Sequence, residues 1–152
     1  MSPEIAPLDL GVGTNAEALV AVQRAAYRVE ADLLGTDDLP PLKESASELR
    51  ASGESFLGAR LDGRLVGAVS WKALGDGTVD IHRLVVHPDA FRRGIGSALL
   101  QALDAQLRPP RTVVATGAAN LPARRLYEGS GFRAVAEQAA AGGVRIVTME
   151  RP

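Results

Sequence analysis

A helix-forming stretch near the middle of the chain is preceded by a turn rich in arginine and glycine. It reads HPDAFRRGIGSALLQAL and runs from His87 to Leu103. The first N–H groups of a helix are unpaired and lie at the positive end of its dipole, which suits a phosphate. Gly94 and Gly96 let the backbone approach a ligand closely, and Arg92 and Arg93 add positive charge. The segment fits a diphosphate site. It fits equally well a tight turn into a helix whose arginines are exposed to solvent.

A second segment carries a hydroxyl that could do chemistry. It reads NLPARRLYEGSGF and starts at Asn120. Asn120 is a good helix cap, and Pro122 suits the first turn of the helix. Tyr127 follows Ala123 by four residues, so the two lie on one helix face. On its own, Tyr127 is more typical of a packed tyrosine than of a catalytic one.

Hydrophobic periodicity and turn residues predict the elements that position these segments. The capping-box pattern of Thr14 and Glu17 opens a first helix, Gly35 ends it, and the pair Asp62 and Gly63 makes a hairpin turn. The predicted strands cover 4–10, 55–61, 65–74, 78–86, 111–116, 132–136 and 144–150, and the other helices cover 43–51, 97–108 and 120–128. The fold class is therefore α/β (α+β), with about seven strands in one mixed sheet, about four flanking helices and one domain over 1–152.

The overall composition limits the partners that the chain can have. It has 152 residues, a formal net charge of -1 and no cysteine. Such a charge gives no general attraction to nucleic acid or to an anionic membrane. The lack of cysteine excludes thiolate metal sites and a cysteine nucleophile. No secretion signal or membrane-spanning run is visible. We expect a cytoplasmic protein with no nucleic-acid or membrane partner.

Together the two segments resemble the GNAT superfamily of N-acetyltransferases, which use acetyl-coenzyme A. The family's phosphate signature, Gln/Arg-x-x-Gly-x-Gly/Ala, reads FRRGIG over 91–96, so that Phe91 replaces the usual Gln or Arg. The later signature, Asn-x-x-Ala-x-x-Leu-Tyr-x-x-x-Gly-Phe, is matched in full over 120–132. The resemblance implies a sheet that splays between its fourth and fifth strands. It also implies acetyl-CoA as cosubstrate and no metal.

The resemblance further implies how an acetyl group would reach an amine. Tyr127 would be the general acid toward the leaving sulfur, and a backbone N–H near Leu84 or Val85 would polarise the thioester. The implied cofactor-binding residues are Leu84, Val85, Val86, Arg92, Arg93, Gly94, Ile95, Gly96, Ser97, Asn120, Ala123, Arg124 and Tyr127. An alternative is an acetyl-CoA-binding sensor or interaction module with little catalysis, because Phe91 departs from the signature and no base is obvious.

The sequence does not identify the general base or the acceptor amine, and it leaves several candidates for each. Asp80 and His82 lie two apart on one face of a predicted strand, Glu30 is a third candidate, and ordered water is a fourth. The expected acceptor wall is Tyr27, Glu30, Asp37, Asp38, Leu42 and Trp71, whose acidic members suit a cationic amine. The acceptor would be a small-molecule amine or a protein amine, and the resemblance leaves a homodimer open.

Two other sequence patterns could indicate a ligand, a dinucleotide or a metal ion, but each has weaker support than the acetyl-CoA signatures. GVGTNA at 11–16 matches one form of a dinucleotide fingerprint, but the preceding strand contains Pro7, which does not suit a buried parallel strand. A metal site from Asp80, His82 and His87 lacks the ligand spacing of known metal motifs. We therefore expect neither a dinucleotide nor a metal.

Overall fold

The fold is known from a computed structural model that describes residues 2–152. In this range one mixed sheet has the strand order β1-β2-β3-β4-β5-β7-β6. The strands are β1 (Glu4–Pro7), β2 (Ser55–Leu61), β3 (Arg64–Ala73), β4 (Val79–Val86), β5 (Thr112–Gly117), β6 (Arg133–Ala139) and β7 (Arg145–Arg151). The α-helices are α1 (Asn15–Leu34), α2 (Ala46–Arg50), α3 (Ile95–Leu107) and α4 (Leu121–Gly129), and 3₁₀ turns cover Pro40–Leu42, Pro88–Ala90 and Ala141–Gly143. The predicted seven-stranded mixed sheet with four helices is confirmed.

Local turn chemistry explains several of these boundaries. Asp62 and Gly63 have φ values of 50° and 79°, as a two-residue type I′ hairpin turn requires. Gly35 takes a left-handed conformation, with φ 71°, at the end of α1. Pro7 lies in β1 at the edge of the sheet, where its missing N–H costs no central ladder bond.

The first capping-box prediction is wrong, and another residue pair forms the box. Thr14 makes no side-chain cap on α1: its backbone, with φ -103° and ψ 21°, lies outside the extended region that an N-cap residue usually adopts. The box forms at α2, where Ser45 and Glu48 each accept a hydrogen bond from the other's backbone N–H at 3.1 Å. Helix α2 therefore begins at 46, later than predicted.

The sheet separates two apolar clusters. The cluster under α3 and α4 includes Leu57, Val69, Trp71, Val79, Ile81, Leu99, Leu103, Tyr127, Phe132 and Met149. The cluster under α1 and α2 includes Leu8, Leu19, Val22, Leu49, Phe56, Ala68 and Val85. Successive strand residues point to opposite faces, so β3 and β4 contribute to both clusters and fix the helices on either side.

The fourth and fifth strands diverge, as the resemblance implies. They pair in parallel at only three positions, the last joining Ile81 to Val114. Beyond Ile81 in β4, the pairing described for this strand is with β3 alone. One backbone edge of β4 is therefore open over its second half, and helices α1 and α4 approach this gap.

A β-bulge in β4 changes which face its side chains take. Ile81 pairs with Trp71 while Arg83 pairs with Ser70, so His82 is the extra residue. A bulge reverses the alternation of side chains along the strand. Ile81 therefore packs under α3, whereas Arg83 enters the α1 and α2 side.

The bulge places Arg83 in a buried polar network with Glu44, Glu54, Gln23 and Ser70. The Arg83 Nε and Nη2 atoms donate to the two oxygens of Glu54 at 2.7 and 2.8 Å, and Nη2 donates to Glu44 at 3.0 Å. The Arg83 and Glu54 side chains are only 10% and 5% exposed. Burial is the largest single influence and acts to raise the pKa of each carboxyl. The hydrogen bonds and charge of Arg83, together with a hydrogen bond from Gln23 to Glu44 and one from Ser70 to Glu54, outweigh it and hold both pKa values below 4.5.

This network predicts a loss of stability in acid. A carboxylate whose pKa is lowered by folding contributes stability above its unfolded pKa, here 4.5, and loses it as the pH falls through the folded value. We expect Glu54→Gln to lower the free energy of unfolding near neutral pH by about 1.5–3 kcal/mol and to flatten its fall in acid. Denaturant titrations from about pH 6 to about pH 3 measure both effects.

Asp32→Asn is the matched control, because Asp32 is an exposed acid on α1. It should leave the acid slope as in the unmodified protein. If Glu54→Gln gave a slope parallel to that of the control, the network would have no part in acid stability.

Candidate active site

A cavity of about 460 Å³ lies where β4 and β5 diverge. It is bounded by the last turns of α1, the open half of β4, the start of α3 and the first turns of α4. The predicted site residues that line it are Tyr27, Glu30, Leu84, Val85, Val86, Arg92, Gly94, Ile95, Gly96, Ser97, Asn120, Ala123 and Tyr127. The fold therefore brings most of the sequence-predicted site into one place.

The start of α3 presents unpaired backbone donors to this cavity. Ala98 N–H makes the first helical hydrogen bond, to the Gly94 carbonyl at 3.0 Å. The N–H groups of Ile95, Gly96 and Ser97 therefore have no acceptor within the helix, and all three residues line the cavity. Donors in this arrangement at the positive end of a helix can bind a phosphate.

The two glycines of this turn serve different purposes. Gly94 has φ 71°, a left-handed conformation, and a Cβ there would meet nothing within 4 Å. A Cβ on Gly96 would lie 2.8 Å from Leu126 Cδ2, so Gly96 is needed for α4 to pack against α3. Arg92 also has a positive φ, 64°. Arg93 is exposed and does not line the cavity.

The open edge of β4 can be assigned to particular residues. The His87 N–H donates to the Val66 carbonyl of β3 at 2.8 Å. Hydrogen-bonded pairs alternate along antiparallel strands, so Val85 also turns its backbone groups toward β3. Leu84 and Val86 turn theirs toward the gap, and Leu84 is the better candidate for an N–H that faces a ligand there.

The first turns of α4 place two polar side chains at the cavity. Tyr127 is 4% exposed, and its ring packs edge-on against Phe132 with centroids 5.4 Å apart. Asn120 accepts from the Ala123 N–H at 3.2 Å and so caps the helix. Its amide group also donates to Glu30 Oε1 at 3.1 Å. Asn120 therefore joins α4 to α1 across the cavity.

Burial changes the acidity of the three ionisable groups in this corner. Burial, followed by the nearby charge of Glu30, raises the pKa of Tyr27 well above its usual 10.0. Burial is also the main cause that raises the pKa of Tyr127. For Glu30, burial raises the pKa above 4.5 despite the hydrogen bond from Asn120. Both tyrosines are therefore neutral donors at neutral pH.

Several predicted residues lie elsewhere. Trp71 is 7% exposed and packs in the cluster under α3 and α4, so it does not form an acceptor wall at the cavity. Asp80 and His82 do lie together, with His82 Nε2 3.3 Å from Asp80 Oδ2. His82 Nδ1 lies 3.8 Å from Glu54. This pair borders the Arg83 network and does not line the cavity.

The remaining predicted contacts are occupied by other partners or lie on the surface. Arg124 donates to the Ala118 carbonyl at 3.0 Å, which stabilises the turn before α4. Asp37 forms an ion pair with Arg28 at 2.8 Å. Asp38 is exposed and Leu42 is half-buried, and neither lines the cavity.

Seven residues that line the cavity were not among the predicted site residues: Ala26, Val29, Leu33, Ala90, Phe91, Pro122 and Leu126. Phe91 lines the cavity while 45% exposed, so the departure from the phosphate signature remains at the mouth of the site. Leu33 and Leu126 add apolar lining. Leu33 follows Glu30 by three residues and so lies on the same face of α1, which was the available signal in the sequence.

The structure also bears on the competing patterns. The 11–16 stretch follows β1, an antiparallel edge strand, and so lacks the buried parallel strand of a dinucleotide-binding unit. Within residues 2–152, no group of three or more His, Cys, Asp or Glu side chains is placed to hold a metal ion. Over the same range, no helix is long and apolar enough to cross a bilayer.

The splayed mixed sheet and the free N–H groups at the start of α3 agree with the family resemblance of the sequence. Residues 17–132 match the family model described as "Acetyltransferase (GNAT) family". The chain belongs to the GNAT acetyltransferase family.

Two relatives show how much of the chain is shared with longer and similar-sized proteins, and one of them carries an acetyltransferase name. The UPF0157 protein YqkA of Bacillus subtilis (strain 168) is 40% identical over 132 residues, which cover 86% of this chain but 38% of that protein. The N-alpha-acetyltransferase RimI of Mycobacterium tuberculosis is 32% identical over 138 residues, or 89% of this chain and 84% of that one. The chain thus spans under two fifths of the Bacillus relative and most of the mycobacterial one.

A solved structure shows the same fold. The PaiA N-acetyltransferase of Thermoplasma acidophilum, crystallised with coenzyme A, has a TM-score of 0.79 at 21% identity and covers 99% of each chain. The likeness therefore extends over the whole sheet and its helices.

Proposed function

We propose that this protein is an acetyl-CoA:amine N-acetyltransferase that works by direct attack in a ternary complex. The observation that carries the proposal is the convergence of three features on one cavity. These are the free N–H groups at the start of α3, the open backbone edge of β4 and the hydroxyl of Tyr127. The names of the mycobacterial relative and of the Thermoplasma structure support the same reaction class.

Each feature fits a different part of acetyl-CoA. The N–H groups of Ile95, Gly96 and Ser97, with Arg92 beside them, suit the diphosphate. The backbone of Leu84 and Val86 suits the amide groups of the pantetheine arm, which would pair with it as a strand would. The thioester would then lie near Tyr127, at the end of the cavity closest to α1.

Acetyl transfer to an amine requires proton loss from the amine, attack on the thioester carbon and departure of the sulfur. An alkylamine of pKa about 10.4 must lose a proton before its nitrogen can attack. As the C–N bond forms, the Leu84 N–H donates to the oxygen that gains negative charge. The C–S bond then breaks, and the nitrogen loses a second proton. Of the two protons lost, one ends on sulfur and the other in solvent.

Tyr127 acts on the leaving sulfur. Its hydroxyl stays protonated because burial raises its pKa, so it can donate to the thiolate as the bond breaks. A coenzyme thiol has a pKa of about 8.5, which makes it a fair leaving group without help. Donation by Tyr127 should therefore accelerate the reaction by the lower part of the usual acid–base range of about 10²–10⁴-fold.

Thermal unfolding tests the cosubstrate. Acetyl-CoA at about 100 times its Kd should stabilise the fold by about 2.7 kcal/mol. For a chain of this size that raises the Tm by about 5–10 °C, whereas NAD at the same concentration should leave it unchanged. Stabilisation by NAD and not by acetyl-CoA would contradict the proposal and revive the dinucleotide fingerprint at 11–16.

A further inference from the structure

The cavity contains a single carboxylate among its described lining residues. Glu30 contributes it, and no histidine of the described chain lines the cavity. Asp80 and His82, the strand candidates for a base, do not line the cavity: His82 is the bulged residue of β4, and it lies between Asp80 and Glu54. Among the described lining residues, Glu30 is therefore the candidate for a base that accepts a proton directly from a ligand in the cavity.

Glu30 is held in place from the opposite wall. Asn120 donates to Glu30 Oε1 at 3.1 Å while its own side-chain oxygen accepts the Ala123 N–H at 3.2 Å. The oxygen of the Asn120 amide is thus fixed by the start of α4, and its NH2 group is bound to Glu30 of α1. A carboxylate has about four lone-pair sites, so Glu30 can accept a proton from a ligand while Asn120 remains bound.

The surroundings of Glu30 make its carboxylate a stronger base than an exposed glutamate. Burial raises its pKa, and the hydrogen bonds from Asn120, from the Gly117 backbone and from Thr116 only partly offset this. The titratable groups that face it are Tyr27 of α1 and Tyr127 of α4, and both are neutral in this range. A base is most effective when its pKa lies near the working pH.

We propose that Glu30 takes the first proton from the acceptor ammonium group, and that Asn120 is the positioning residue that holds its carboxylate toward the cavity. This inference rests on the proposed transferase function. The proton passes from nitrogen to a Glu30 oxygen, the neutral nitrogen attacks the thioester carbon, and Glu30 returns the proton to solvent after the product leaves. The acceptor therefore enters from the α1 side, between Glu30 and Tyr127.

The test compares Glu30→Gln with the unmodified protein. Glutamine keeps an oxygen that can accept from Asn120 but cannot take a proton. The probes are spermidine, lysine amide and an alanyl peptide amide, each with acetyl-CoA and with thiol release as readout. We expect kcat/KM to fall by about 10²–10⁴-fold near neutral pH, while calorimetry shows unchanged affinity for acetyl-CoA. Asp32→Asn, an exposed acid on the same helix, should leave both values unchanged.

The pH profile separates a proton acceptor from a structural residue. With Glu30 present, kcat/KM should be level between the pKa of Glu30 and that of the amine. The Glu30→Gln variant has no base at this position and must rely on neutral amine from solution, so its rate should rise about tenfold per pH unit up to the amine pKa. That pKa is about 7.7–8.0 for the alanyl peptide. The deficit should therefore shrink as the pH rises.

Asn120→Asp tests the positioning role. Aspartate still offers an oxygen to cap α4, but it removes the donor to Glu30 and adds a like charge. Both changes disfavour the ionised form of Glu30, so the acid limb of kcat/KM should move to higher pH. An acid limb that stays in place would overturn the role assigned to Asn120.

Three results would overturn the role assigned to Glu30. If the unmodified protein is active and Glu30→Gln matches it, Glu30 is not the base. If Glu30→Gln loses the same factor at every pH, its role is structural. If the unmodified protein binds acetyl-CoA but acetylates none of the probes and no other amine, the transferase proposal fails and this inference fails with it.

Discussion

Gly94→Asp is expected to lose measurable binding of acetyl-CoA while the protein stays folded. Gly94 precedes the free N–H groups of Ile95, Gly96 and Ser97, where a carboxylate would compete for the donors and repel a diphosphate. The loss of two hydrogen bonds to charged groups, at about 1.5–3 kcal/mol each, corresponds to about 10²–10⁴-fold in affinity. Repulsion between like charges adds to this. Calorimetric titration with acetyl-CoA measures the result.

Position 94 is a better test than position 96. A Cβ on Gly94 would meet no atom within 4 Å. The φ of 71° strains any side chain there, but aspartate and asparagine tolerate a positive φ better than most residues. A side chain on Gly96 would collide with Leu126 and disturb the packing of α4. Gly94→Asn is the matched control, which has the same shape without the charge and should keep part of the affinity. Unchanged affinity in a folded Gly94→Asp protein would contradict the phosphate site.

Tyr127→Phe is expected to lower turnover by about 10- to 1,000-fold, the lower part of the acid–base range. Phenylalanine keeps the ring that packs against Phe132, so the fold should be unaffected. Affinity for acetyl-CoA should change by less than about 1.5 kcal/mol, since at most one neutral hydrogen bond is lost. Steady-state kinetics and calorimetry together separate these two effects.

Varying the leaving thiol provides a second test of the Tyr127→Phe variant. If the hydroxyl of Tyr127 assists the departing sulfur, acyl donors with more acidic thiols should need it less, and the deficit of Tyr127→Phe should shrink with them. Tyr27→Phe is the control, because it removes the other buried hydroxyl at the cavity and should show no such dependence. Unmodified turnover in Tyr127→Phe, where chemistry limits the rate, would rule Tyr127 out as the acid.

The parts of the fold that depend on neighbouring residues could be predicted from the sequence. The hairpin at Asp62 and Gly63, the end of α1 at Gly35 and the start of α4 at Asn120 follow from local turn and cap chemistry. The splay was implied by the family resemblance, and the three-residue pairing of β4 with β5 agrees with it. Thr14 shows the limit of such patterns, because its backbone conformation, set by the turn before α1, does not allow the cap.

Features that depend on distant pairing could not be predicted. The bulge at His82 arises from the register of β4 against β3, and no local pattern signals it. The bulge directs the Arg83 side chain toward Glu44 and Glu54. The network of these three residues could therefore not be predicted from the sequence. The contact between Glu30 and Asn120 joins residues 90 positions apart. Aromatic character made Trp71 a candidate for the acceptor wall, but the packing of β3 buries it under α3.

The most direct test of the account is thiol release from acetyl-CoA in the presence of a broad panel of primary amines. The panel should include polyamines, amino acids and peptides with free N-termini, and mass spectrometry should identify the acetylated product. An amine N-acetyltransferase should release thiol only when both the protein and an amine are present, and each thiol released should be matched by one acetylated amine. Tight binding of acetyl-CoA without thiol release for any amine would contradict the transferase proposal and would favour an acetyl-CoA sensor.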